Sequence, residues 1–165
     1  MLVTLQNIFR FILLIVLQIF LLDNIQFLGY ITPMIYVLFI LSLPVRFPRS
    51  LLLLLAFAMG LIIDIFSNTL GIHAFATVFV AFMRNPVINI FTSIDEGNNP
   101  TPSFHSFGVG AYVRYVITIV LLHHTTLFLL EAFSLMNVVF LVPKILISSA
   151  VTILLILATQ SLKSK

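Results

Sequence analysis

Long apolar runs separated by short polar breaks are the feature that most constrains this chain of 165 residues. Hydrophobic residues make up 61% of the sequence and charged residues only 8%, whereas soluble domains carry about 25% charged residues. A water-soluble fold with this composition would have to expose large apolar surfaces, which cause aggregation. Lipid removes that penalty, so the sequence predicts an all-α integral membrane protein.

Six apolar runs predict six transmembrane helices in a single transmembrane domain, 1–165. Several runs are shorter than the ~20 residues that comfortably span hydrocarbon. The second is the shortest, because its continuous apolar part, 31–43, has 13 residues and contains Pro33. A re-entrant or buried segment there, with five spans in all, is the alternative. The predicted spans are 8–28, 28–43, 51–66, 70–84, 112–131 and 138–158.

The basic residues indicate how the spans are oriented. With six spans, seven cations share one side, which the positive-inside rule makes cytoplasmic together with both termini. A five-span chain would instead place Arg10 opposite the others. The other side holds the acids Asp23, Asp64 and Glu131, and its one cation, Lys144, is a candidate to neutralise Glu131 or Asp64. The seven cations are Arg10, Arg46, Arg49, Arg84, Arg114, Lys163 and Lys165.

The sequence offers few groups for chemistry. It has no cysteine, which excludes disulfides, thiolate metal sites and cysteine nucleophiles. Its net charge of +3 is spread too thinly to indicate nucleic-acid binding. It contains no P-loop, Gly-rich dinucleotide turn, HExxH motif or nucleophile elbow. We therefore predict a protein that is not an enzyme and has no catalytic residue, metal or cofactor.

Asp64 is the strongest candidate for a functional residue, because a carboxylate near a membrane span is costly and usually functional. It lies 15 residues beyond Arg49, about 22 Å at the helical rise and towards the outer interface. Ala56, Gly60 and Asp64 share one helix face at i, i+4 and i+8, and small residues at that spacing let another helix approach closely. Asp64 is either the anchor of a tertiary or inter-subunit polar contact or an ordinary interfacial carboxylate.

His123 and His124 lie in the predicted fifth span, and Glu131 follows on roughly the face of His124. One interpretation is a proton relay or metal site that faces Asp64. The other is a pair of buried, hydrogen-bonded helix histidines. The second is favoured, because both acids lie near the outer boundary and the spacing does not bring several ligands together. His73 is a candidate to pair with Asp64 across the short turn between spans three and four.

The segment from Gly60 to Ala74 reads Gly-Leu-Ile-Ile-Asp-Ile-Phe-Ser-Asn-Thr-Leu-Gly-Ile-His-Ala. It resembles the MreD family of bacterial rod shape-determining membrane proteins, in which Gly-Leu-x-x-Asp ends span three and a Gly, here Gly71, opens span four. The His123-His124 pair and the long loop 85–110 are unusual beside that pattern. Other matching features are Pro33, Leu43-Pro44, Arg46, Pro48, Arg49, Arg84 and Glu131-Ala132-Phe133, so the resemblance covers essentially the whole chain.

The resemblance implies a non-enzymatic subunit of the cell-elongation complex, which sits in the bacterial cytoplasmic (inner) membrane and supports peptidoglycan synthesis along the side wall. The implied partners are membrane lipid, an MreC-like protein and, indirectly, MreB, RodA and a penicillin-binding transpeptidase, with no nucleic acid. The implied fold resembles the six-helix substrate-binding components of vitamin (ECF-type) transporters. The alternative function is therefore a small-molecule-binding membrane subunit of an ATP-driven vitamin transporter.

A third hypothesis is a proton-coupled carrier that uses Asp64 and the histidines. For the MreD-like function, we expect a partner helix to pack against the face with Ala56, Gly60 and Asp64, or against the span-four face with Gly71, Ala74, Thr77 and Ala81. The candidate residues for partner-helix or structural polar contacts are Ala56, Gly60, Asp64, Gly71, His73, Arg84, His124 and Glu131.

Overall fold

The computed structural model describes residues 2–23, 31–93, 98–132 and 138–163. In this part of the chain, five helices are long and apolar enough to cross a membrane. The chain is thus a helical, multi-pass membrane protein, as predicted. The long helices are α1 (Leu2–Leu17, continued by a π-helical turn, Gln18–Leu22), α3 (Arg49–Ser67), α4 (Ile72–Phe91), α6 (Val109–Ala132) and α7 (Val138–Lys163), and the short ones are α2 (Val37–Leu41) and α5 (Phe104–Phe107).

The prediction of a spanning helix over 28–43 is wrong for the described residues. Within 31–43, only Val37–Leu41 is α-helical, and 32–34 has no regular structure. Pro33 accounts for part of this, because proline lacks an N–H and disfavours helical backbone in the residue before it. Tyr36, Val37 and Ile40 are 0% exposed, so neighbouring helices surround the segment. Irregular backbone is tolerated at membrane depth where it is buried in protein in this way or lines a polar cavity.

This buried segment, 31–43, runs back alongside α1, and we call it the return segment. The Ile35 N–H donates to Gln18 Oε1 at 2.9 Å, whereas Arg10 Nη1, two turns nearer the start of α1, donates to Ser42 Oγ at 2.9 Å. The return segment therefore covers about 12 Å along the helix axis in the opposite direction to α1. Among the described residues, five long helices make up the spans, and the return segment runs back between α1 and α3 in chain order without forming a spanning helix.

Helix α3 then runs parallel to α1, and the Ser67 hydroxyl near its end donates to Asp23 Oδ2 at 3.3 Å. This arrangement separates the charges into two ends. The arginine end carries Arg10, Arg46, Arg49, Arg84 and Arg114, and the aspartate end carries Asp23, Asp64, Glu131 and Lys144.

Helix α4 is longer than predicted. It continues past the predicted end at residue 84 and contains Pro86. A proline inside a helix removes one backbone hydrogen bond, but Val87 and Ile88 are buried and their packing keeps the next turn in place. The loop predicted over 85–110 is correspondingly shorter and includes α5. Residues 94–97 of that loop and the predicted end of span one, beyond residue 23, lie outside the described residues.

Candidate functional site

The site begins with an unusually close approach between α3 and the start of α4. A Cβ atom on Gly60 would lie 2.4 Å from Ala74 Cα and 2.6 Å from the Ala74 nitrogen. Real Cβ atoms essentially never make contacts this short, so only glycine fits here without a shift of α4. Two residues with positive φ, Asn68 (54°) and Gly71 (84°), turn the chain tightly enough to bring α4 back onto α3.

Asp64 uses this proximity to cap α4. Its side chain is buried, and Oδ2 accepts the Ala74 N–H at 2.8 Å while Oδ1 accepts the His73 N–H at 3.0 Å. The N–H groups in the first turn of a helix have no partner within the helix. The N-cap residue, Gly71, has no side chain that could accept them. A carboxylate from α3 therefore takes the place of a local N-cap.

Two further side chains complete the Asp64 cluster. The Thr69 hydroxyl donates to Asp64 Oδ1 at 2.5 Å, and His73 Nδ1 lies 3.1 Å from the same oxygen. Thr77 in turn donates to the His73 carbonyl. The structure thus places His73 against Asp64, as the sequence suggested, and Asp64 is a tertiary contact within the chain and not an exposed interfacial carboxylate.

The prediction that a partner helix packs against this face is wrong. Ala56, Gly60 and Asp64 are buried by the chain's own α4. Ala74, Thr77 and Ala81 on α4 are also buried inside the bundle. Small residues at helical spacing allow two helices to approach closely, but the sequence pattern does not say whether the second helix belongs to the same chain.

His123 and His124 point to different partners inside the bundle. His123 Nε2 lies 2.9 Å from the Tyr36 hydroxyl of the return segment. His124 Nδ1 lies 3.0 Å from the Val120 carbonyl, and its Nε2 lies 3.2 Å from Thr152 Oγ1. In the described residues, no three His, Asp or Glu side chains gather as metal ligands would. The two histidines therefore cross-link the core.

Polar side chains that sequence reasoning missed hold the return segment in place. Gln18, fully buried, accepts the Ile35 N–H and donates through Nε2 to the Pro33 carbonyl at 3.1 Å. Ser148 Oγ accepts the Thr32 N–H at 3.2 Å, and Thr152 Oγ1 accepts the Met34 N–H at 3.1 Å. These bonds are needed because unpaired backbone groups are costly away from water. Two sequence features could have pointed to these contacts: a glutamine inside an apolar run, and two hydroxyl residues one helical turn apart.

Arg84 holds the other end of the return segment. Its side chain is 0% exposed, and Nη2 donates to the carbonyl oxygens of Leu43 and Pro44, at 3.2 Å for Pro44. Among the described residues it makes no salt bridge to a carboxylate. Arg84, which the sequence analysis treated as an orientation signal and as a candidate for a structural polar contact, is thus buried and holds the exit of this segment.

A cavity of about 380 Å³ opens beside the Asp64 cluster at the aspartate end. Asp23 lies on one side and Glu131 and Lys144 on another. Lys144 Nζ lies 2.9 Å from Glu131 Oε2, so this lysine neutralises Glu131 and not Asp64. The other lining residues are Ile19, Thr32, Met34, Phe66, Ser67, Thr69, Ile72, His73, Leu127 and Phe128.

Fold and site together define a multi-pass helical membrane protein with an apolar core that polar side chains cross-link and a charged cavity at the aspartate end of the described bundle. No protein-family model, curated protein or solved structure matches this chain.

Proposed function

We propose that this protein is an MreD-like, non-enzymatic membrane subunit of the bacterial cell-elongation complex. The observation that carries the proposal is the unit formed by Gly60, Asp64 and Gly71, the residues on which the resemblance to that family is most specific. The three residues act together: Gly60 allows α4 to approach α3 closely, Gly71 adopts the positive φ of the turn, and Asp64 caps α4.

A structural role for Asp64 supports a function without catalysis. Both carboxylate oxygens already accept hydrogen bonds from the chain's own backbone and from Thr69. A carboxylate engaged in this way stabilises the fold and is not free to move protons to or from a substrate. The same contacts argue against the proton-coupled carrier.

Partner recognition then depends on the outward faces of the bundle. Since the α3–α4 face is occupied, the least buried spanning helices, α1 and α7, are the surfaces that we assign to an MreC-like partner. Without a water-driven hydrophobic effect between helices, such contacts depend on close packing and interhelical hydrogen bonds. MreB, RodA and the penicillin-binding transpeptidase would be reached through that partner.

The experiment is affinity purification of the full chain from the membranes of its host in mild detergent, followed by mass spectrometry of the recovered proteins. We expect an MreC-like protein among them, and we expect rods to become round when the protein is depleted. Ile12→Trp on α1 and Leu146→Trp on α7, both 56% exposed positions, locate the contact, because a bulky side chain there blocks a partner without disturbing the core. Absence of an MreC-like protein from the unmodified sample, with normal rods on depletion, would overturn the proposal.

The charged cavity favours a second candidate, a small-molecule-binding membrane subunit of an ATP-driven transporter. Ligand cavities are typically about 300–1,000 Å³, and the 380 Å³ cavity falls within this range, with both apolar and charged side chains in its lining. This candidate predicts that an ATPase pair is recovered in the same purification. It also predicts that a small molecule leaves the protein on denaturation, and that Asp23→Asn lowers the recovered amount. If neither an ATPase pair nor a small molecule is recovered, the transporter candidate is excluded.

A further inference from the structure

The charged cavity carries more negative than positive charge in its lining. The lining includes the carboxylates of Asp23 and Glu131 and the ammonium of Lys144, two negative charges against one positive with histidine counted as neutral. The stretches that come soon after the two acids in the chain, 24–30 and 133–137, contain no charged residue. Lys144 Nζ lies 2.9 Å from Glu131 Oε2. The negative charge without a cation is therefore that of Asp23.

Asp23 accepts two hydrogen bonds, but both come from neutral groups. Its Oδ1 accepts a hydrogen bond from Gln18 Nε2 at 2.7 Å, and its Oδ2 accepts one from the Ser67 hydroxyl at 3.3 Å. Among the described residues, no cation forms a salt bridge with it. An ionised carboxylate has about four acceptor sites. Two bonds thus leave room for a further donor, and a cationic donor would also neutralise the charge.

His73 presents a second acceptor to the same cavity. Its Nδ1 lies 3.1 Å from Asp64 Oδ1 and 3.1 Å from the Thr69 oxygen. The Thr69 hydroxyl donates its own proton to Asp64, so both neighbours of Nδ1 are acceptors and the proton of a neutral ring lies on Nδ1. The other ring nitrogen, Nε2, then offers a lone pair.

This lone pair is free for a ligand. The His73 side chain is only 8% exposed, and the residue lines the cavity. Within the described part of the chain, Nε2 makes no hydrogen bond, yet it is not among the polar atoms that the bundle encloses without a partner. We conclude that the accessible edge of the ring, with Nε2, opens onto the cavity.

The hydroxyl groups around these acceptors strengthen the same preference. Ser67 and Thr69 give their protons to Asp23 and Asp64, so only their lone pairs remain for a ligand. An anion in the cavity would meet carboxylates and lone pairs, with the paired Lys144 as the one charged donor of the described lining. The lining therefore favours a ligand that brings N–H groups and a positive charge.

The rest of the lining favours an organic cation over a metal ion. In the described residues, no three His, Asp or Glu side chains gather as metal ligands would. The volume of about 380 Å³ lies in the range of cavities that hold small organic molecules. The carbon skeleton of such a ligand would contact the apolar part of the lining, which consists of Ile19, Met34, Phe66, Ile72, Leu127 and Phe128.

From this combination we propose that the cavity binds a small organic amine in its ammonium form. The ammonium N–H groups bond Asp23 and His73 Nε2, and the carbon skeleton lies against the apolar side chains. Hydrogen bonds between charged groups are about twice as strong as those between neutral groups, so the ammonium group supplies most of the selectivity. The proposal deepens the second candidate function, on which it rests, by naming the chemical class of the ligand.

The test is thermal unfolding of the purified full chain in a neutral detergent, with phenethylammonium, 2-phenylethanol and phenylacetate as probes of similar size. A ligand that binds the folded state raises the unfolding temperature. We expect phenethylammonium to bind about tenfold more tightly than either other probe, the effect of about one charge-assisted hydrogen bond. Equal or tighter binding of phenylacetate or 2-phenylethanol would overturn the proposal. Equal stabilisation by calcium chloride would overturn it in favour of a metal ion.

Four substitutions locate the site. Asp23→Asn should weaken phenethylammonium binding about tenfold. Lys144→Gln frees Glu131 and should strengthen binding about two- to fivefold, the range for exposed ion pairs, whereas damage to the fold would weaken binding in both variants. Ile72→Trp fills the cavity and should abolish binding. Phe75→Trp, at a 58% exposed position on the same helix but outside the lining, is its control, and equal affinities of these two variants would exclude the cavity.

This measurement needs no partner protein, so its outcome is separate from that of the transporter candidate. Selective ammonium binding without recovery of an ATPase pair would support the amine site and count against a transporter. Recovery of an ATPase pair without selective ammonium binding would do the reverse. If Asp23→Asn fails to fold, the order of the three probes on the unmodified chain still decides.

Discussion

Gly60 on α3 and Ala74 on α4 are in backbone contact, since a Cβ atom added to Gly60 would lie 2.4 Å from Ala74 Cα. This contact sets the distance between the two helices and places Asp64 within hydrogen-bond reach of the first turn of α4. The capping bonds therefore depend on the glycine one turn earlier.

We expect Gly60→Ala to destabilise the protein by about 1–3 kcal/mol, the usual cost of forcing one extra carbon into a packed interior. Thermal unfolding in detergent measures the change. Gly110→Ala is the matched control, because a Cβ there would meet only the end of the Arg114 side chain at 3.9 Å. If both variants unfold at the same temperature, the close approach does not limit the packing of α3 against α4.

Asp64→Asn should cost about 1–3 kcal/mol, because the amide nitrogen replaces an oxygen that now accepts a hydrogen bond and leaves a buried donor unpaired. Glu131→Gln, which breaks the exposed pair with Lys144, should cost no more than about 1 kcal/mol. Comparison of the two free energies of unfolding separates a buried cap from a surface ion pair. A larger cost for Glu131→Gln would contradict the structural role of Asp64.

Gln18→Leu tests how the return segment is held. The Ile35 N–H and the Pro33 carbonyl lose their partner, and we expect a loss of about 1–3 kcal/mol together with faster proteolysis of the variant. Gln6→Leu makes the same chemical change at an exposed position on α1 and should stay within about 0.5 kcal/mol. If Gln18→Leu and Gln6→Leu have the same stability and the same rate of proteolysis, other contacts suffice to fix residues 33–35.

The absence of cysteine allows a direct test of sidedness. Ser50→Cys lies at the arginine end of α3 and Leu70→Cys at the aspartate end, both at exposed positions. If the arginine end is cytoplasmic, as the positive-inside rule predicts, a membrane-impermeant maleimide added to intact cells will label Leu70→Cys alone. Labelling of Ser50→Cys alone would reverse the orientation, and equal labelling of both would contradict the two-ended charge arrangement.

Much of the fold was predictable from residue order. The apolar runs identified the five long helices, because a helix satisfies its own backbone in lipid and needs only enough consecutive apolar residues. The arginines also fell at one end of the bundle, as their spacing predicted. The close pairing of His73 with Asp64 was also predictable from the sequence, because the turn between α3 and α4 is short.

The sequence alone determined that this chain is a bundle of membrane helices with its arginines at one end and Asp23, Asp64 and Glu131 at the other. Only the tertiary structure decided that 31–43 returns as a buried, mostly irregular segment, that Gln18 and Arg84 hold it, and that the Gly60 face is used internally. The physical reason is that hydropathy is a property of consecutive residues. The partner of a buried donor, or of a small-residue face, comes from elsewhere in the chain and is set by packing.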